Sequence, residues 1–138
     1  MVDFFSENEF TLERQQELSD WISSVIESES CTIGDIGFIF CNDEYLLNLN
    51  QEFLQHDTLT DIISFDYSLG KQLHGEIYIS TERVQENAQT FQVDFLEELH
   101  RVIIHGILHL CGYKDGTKEE KYAMRLKENE ALARRSFL

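Results

Sequence analysis

One segment limits the chain more than any other: Asp94–Leu110 is long enough for a substantial helix and turns almost wholly apolar from Val102 onward. A helix that is apolar on every side is stable only when neighbours cover it, so this one belongs at the centre of the fold. Two histidines, His105 and His109, interrupt the apolar run. Four residues apart, they sit one turn apart on a single face, where both imidazoles can reach the same point. Gly112 is the natural stop, since glycine enters the left-handed region without strain, and the chain can then turn back towards that point with Asp115.

A buried imidazole needs a polar partner, and two ordinary core histidines would each need their own. A shared metal satisfies both at once. Two imidazoles and one carboxylate are common zinc ligands, and three protein ligands leave a fourth position open, which separates a catalytic zinc from a structural one. The spacing therefore predicts one zinc ion per chain, held by His105, His109 and Asp115. No general base is evident, so no catalytic residue is assigned. His56, His74 and His100 have no partners in register and read as ordinary surface or loop residues.

Around this helix the pattern alternates between helix and strand. Leu12 to about Ser28 reads as an amphipathic helix with Thr11 as N-cap. Asp35–Phe40, Ile62–Phe65 and Gly75–Ser80 read as strands, and Asp57–Thr60 as a polar loop. Asn42 caps a short helix carrying Leu46, Leu49 and Phe53, and Thr81–Phe91 forms another. Thr117 with Glu120 forms a capping box opening a last helix that ends near Arg134. The expectation is an α+β (mixed α/β) class: one domain over residues 1–138, with a small mixed β-sheet and several helices around the metal-bearing helix.

Charge constrains function. Eleven basic residues against 26 acidic ones give −15, and that average field repels polyanions. A nucleic-acid substrate must be met by the metal or by a local basic rim, for which Lys71, Arg83, Arg101, Lys114 and Arg125 are available. The N-terminus has no basic run of the secretory kind, and no apolar run approaches the roughly 18 residues that span a bilayer. Cys31, Cys41 and Cys111 form no CxxC pair and read as free thiols, so a cytoplasmic protein without a membrane partner is expected.

The same spacing matches the metzincin zinc proteases, HExxHxxGxxH, but their general base follows the first histidine and here that residue is Gly106. The protease reading is the weaker one for that reason.

Residues 105–115 resemble the hallmark HGxLHLxGYDH of the YbeY-type bacterial metallo-endoribonucleases. His105, Gly106, Leu108, His109, Leu110, Gly112 and Tyr113 all agree. In a second block Asn50, Phe53, Asp57, Thr60, Asp61, Ser64 and Phe65 agree, and Gly75–Ser80 resembles a third. The resemblance implies a zinc-dependent endoribonuclease of rRNA maturation and ribosome quality control, with rRNA as partner. Single-stranded regions are the expected substrate, because a flexible strand can be drawn to a recessed metal. The acidic chain suits basic ribosomal proteins as further partners. The resemblance also implies a substrate cleft between the His105 helix and the Asp61–Phe65 strand, near Asp61, Ser64 and Lys114. The chain departs from the pattern at three telling positions: Asp115 replaces the third histidine, Lys114 an aspartate, and Leu54 the arginine expected to contact phosphate. The alternative is a non-catalytic zinc-binding ribosome-assembly factor, which an acidic chain lacking that arginine would suit.

Overall fold

Strand alternation builds the core. Along β2 (Thr32–Cys41), Ile36, Phe38 and Phe40 point into the main core, while Ile39 and Cys41 point to the opposite face. The computed structural model describes residues 1–54 and 59–137. The other elements are β1 (Val2–Ser6), α1 (Gln15–Ser28), α2 (Asp43–Leu54), β3 (Ile62–Asp66), β4 (Gln72–Ser80), α3 (Thr81–Phe91), α4 (Phe95–Leu110) and α5 (Lys118–Ala133). The sheet has the order β1-β2-β4-β3, with the first two pairings parallel and β3 antiparallel at the edge. This is the expected α+β class with one mixed sheet.

α1, α3 and α4 lend their apolar faces to the main core on one side of the sheet, with α5 behind α4. On the other side lies a smaller cluster, where Leu46 of α2 meets Cys41 and Ile63. α4 is the central helix. Ile103, Ile104 and Ile107 are fully buried, each contributing about 1.5–3 kcal/mol of hydrophobic stabilisation, which fixes the helix against the sheet.

Several expectations need correction. β1 is an addition to the expected strands; it pairs with β2 through Val2↔Ile36 to Ser6↔Phe40, a long-range pairing that the segment's own residues do not encode. α1 begins at Gln15 rather than Leu12, because Arg14 takes a left-handed conformation (φ 59°) as N-cap. Leu12 is buried ahead of the helix, so its apolar character reflects tertiary packing and not the helical stripe. His100 is no surface residue: it is 4% exposed on α4, and its Nδ1 accepts a hydrogen bond from Arg135 at 2.9 Å. Burial, reinforced by the Arg135 charge, pushes its pKa down to about 4. His74 is half-buried on β4, where its Nδ1 accepts from the backbone N–H of Asp35 at 3.0 Å. His56, Asp57 and Thr58 lie outside the described residues. All three cysteines are free, and burial raises the Cys41 and Cys111 thiols to about 12, leaving them unreactive.

Candidate metal centre

The end of α4 is built to return the chain. The N–H of Gly112 donates to the carbonyl of His109, and that of Tyr113 to Leu108, both at 3.0 Å. This is a Schellman closure, and it needs the left-handed residue that Gly112 supplies at φ 107°. Tyr113 anchors the turn by donating its hydroxyl to Glu29. The turn delivers Asp115 to the histidine face.

The three side chains converge. His105 Nε2 and His109 Nε2 are 3.0 Å apart, and Asp115 Oδ2 lies 3.2 Å from the first and 3.3 Å from the second. Donors of a tetrahedral zinc, with bonds of roughly 2.0–2.1 Å, stand about 3.3 Å from one another, so this triangle fits the ion. Among the described residues it is the one grouping of this kind.

Glu128 of α5 completes the arrangement, and sequence reasoning missed it. Its Oε2 accepts from His105 Nδ1 at 2.8 Å, so the neutral imidazole keeps its proton on Nδ1 and turns Nε2 towards His109 and Asp115 as a ligand atom. Burial opposes the charge on Glu128, yet hydrogen bonds from His105 and Arg101 outweigh it and hold the carboxyl below its usual range. Burial likewise opposes the charge on His105, but its bond to Glu128 prevails and raises the imidazole. A signal was present: Glu128 falls on the stripe Met124, Glu128, Ala131, Leu132, an acid on the buried face of α5.

Two cavities flank the triangle, both lined by Asp61, Ile62, His105 and Asp115. One, of about 420 Å³ between α3, α4 and α5, adds Asn87, Phe91, Glu98, Arg101, Lys121 and Arg125 among its walls. The other, of about 630 Å³ between α2, β3 and α4, adds Asn50, Leu54, Ser64 and His109. Asp61 therefore sits where the cavities meet. Burial raises its carboxyl, against the pull of nearby His105. Ser64 faces the second cavity from the edge strand. Lys114 is exposed on the loop after α4 and lines neither cavity. Of the basic rim expected from sequence, Arg101 and Arg125 reach the first cavity. Arg83 is bound to Asp43 at 2.8 Å, and Lys71 lies in the turn before β4.

Gly106 packs against the sheet. A β-carbon there would lie 3.0 Å from Ile62 Cδ1 and 3.1 Å from Ile77 Cγ2, against the sheet.

With the site in place, comparison with known proteins identifies its setting. The solution structure of a Thermotoga maritima protein superposes with a TM-score of 0.67 at 27% identity, covering 96% of this chain and 90% of that one. Curated proteins named endoribonuclease YbeY are similar over nearly the whole length. The one from Christiangramia forsetii is 61% identical, covering 96% of this chain and 92% of its own. That from Flavobacterium psychrophilum is 55% identical, covering 96% and 94%. The model of the endoribonuclease YbeY family matches residues 4–136, and the chain belongs to that family.

Proposed function

We propose that this chain is a zinc-dependent endoribonuclease acting on single-stranded regions of rRNA during ribosome maturation, in the cytoplasm. The observation that carries the reading is the triangle of His105, His109 and Asp115, open between two cavities rather than enclosed. Zinc held there would polarise a phosphoryl oxygen and make water a nucleophile near neutral pH. The chain's own residues do the rest. Glu128 fixes the tautomer and orientation of His105. Asp61, its carboxyl raised by burial, is positioned to take a proton at the junction of the cavities. Ser64 offers a hydroxyl to phosphate from β3. Phe91, 58% exposed at the rim of the first cavity, presents a ring on which an unpaired base can stack, which favours a single strand over a duplex. Lys114 is left out of the site because it lines neither cavity.

One observation favours a second reading. Leu54, at the position of the family's arginine, is 45% exposed and lines the second cavity. A zinc-binding assembly factor that docks on basic ribosomal proteins without cutting RNA would have no need of that cation, and a charge of −15 suits it. The separating experiment is cleavage of single-stranded rRNA fragments by the zinc-loaded protein, with His109→Ala as control. Cutting that disappears in the variant supports the nuclease. A zinc-replete protein that leaves the fragments intact would favour the assembly factor.

A further inference from the structure

The two cavities beside the metal centre differ in charge. The described walls of the α2 cavity include Asp61, Asp66 and Asp115 but no lysine or arginine. The α5 cavity has acids too, Asp61, Glu98, Asp115 and Glu128, but sets Arg101, Lys121 and Arg125 against them. These three cations are not equivalent. Arg101 is largely covered and donates to Glu128 at 2.9 Å and Asn129 at 3.0 Å, so it is committed to holding the partner of His105. Arg125 is 57% exposed, and its nearest carboxylate contact, Glu128, is 3.7 Å away. An exposed pair at that distance is too weak to fix it. Lys121 is exposed and stands four residues before Arg125, so the two project from one face of α5 along the cavity mouth.

We propose that Arg125 and Lys121 form a phosphate subsite for the RNA strand next to the metal centre, so that the strand is gripped on the α5 side and not on the α2 side. The proposal deepens the endoribonuclease reading and rests on it. The whole-molecule charge repels RNA, so backbone contacts must come from cations concentrated at the cleft. With leucine at position 54, the α2 side offers none among its described walls, whereas these two stand beside His105 and Asp115. They bind the phosphate backbone, positioning the strand without reading its sequence.

The test is steady-state cleavage of a short single-stranded rRNA fragment by the zinc-loaded full chain over a range of KCl concentrations. In the double variant Arg125→Gln, Lys121→Gln, kcat/KM should fall at least about tenfold at low salt, mainly through KM. The slope of log KM against log salt should drop by about 1.4, at roughly 0.7 for each single-strand phosphate that is no longer neutralised. Zinc content should not change. Arg125→Lys should keep most of the affinity, and Lys71→Gln, remote from both cavities, should behave like the unaltered protein. If the double variant cuts with unaltered KM and salt slope, the subsite is refuted while the nuclease reading stands. Loss of zinc together with kcat would also refute it, since the residues would then act through Glu128. If the unaltered, zinc-replete protein cuts nothing, the nuclease reading fails and the subsite falls with it.

Discussion

Glu128→Gln tests whether the metal centre is held from behind as the geometry implies. The carboxylate is 5% exposed and accepts from His105 Nδ1 at 2.8 Å. Glutamine keeps the volume and one acceptor but removes the charge that favours a proton on Nδ1 and raises the basicity of Nε2. Removing such a partner typically costs about 10- to 100-fold in metal affinity, or roughly 1.4–2.7 kcal/mol. The upper end is expected here, because the bond is short and its carboxylate is buried, and because Arg101, 2.9 Å from the other carboxylate oxygen, also loses its ionic partner. Competition between the metal-free protein and a chromogenic zinc chelator at neutral pH measures the change directly. A dissociation constant within about threefold of the unaltered protein's, for a variant that folds normally, would refute the claim that Glu128 supports the ligand set.

Leu54→Arg should raise rRNA cleavage on the order of 10²–10³-fold, the typical effect of one electrostatic donor at a developing charge, without altering zinc content. The gain should vanish when His109→Ala is added, and a gain that survives would place the new cation outside the metal's reaction. His100 supplies a pH prediction. Its folded pKa of about 4 lies below the unfolded value near 6.5, so unfolding takes up a proton between them, and its contribution is full above 6.5 and lost as pH falls towards 4. The metal-free protein should therefore lose roughly 3 kcal/mol more stability than His100→Gln between pH 7 and pH 4 in urea titrations. Equal losses would mean that the imidazole is not held neutral by its surroundings.

The parts of the molecule legible in its sequence are those governed by local rules. The apolar run of α4, the helical spacing of its two histidines, the glycine stop and the Thr117–Glu120 capping box each act within a few residues, and each stands where expected. What escaped depends on distant partners. Val2–Ser6 becomes a strand because β2 offers it an edge, while the segment itself lacks alternation. Glu128 meets His105 across 23 positions, and no spacing rule links two helices. His100 reads as a surface histidine in sequence because its partner, Arg135, stands 35 positions further along the chain. In each case the side chain's chemistry was visible and its neighbour was not.

The closeness of α4 to the sheet at Gly106 limits where this scaffold can go by mutation. In zinc proteases the residue after the first histidine must carry a carboxylate into the cleft. At Gly106 even a β-carbon would press on the side chains of Ile62 and Ile77, so a glutamate would first need those two side chains to repack. Peptide hydrolysis thus needs this helix–sheet contact repacked as well as a new carboxylate, and overpacking of that kind typically costs about 1–3 kcal/mol. Changing which cations surround the metal, by contrast, takes one surface replacement at a time and leaves the core untouched. Lineages built on this frame can therefore drift in how they hold a substrate much more easily than in the bond they break.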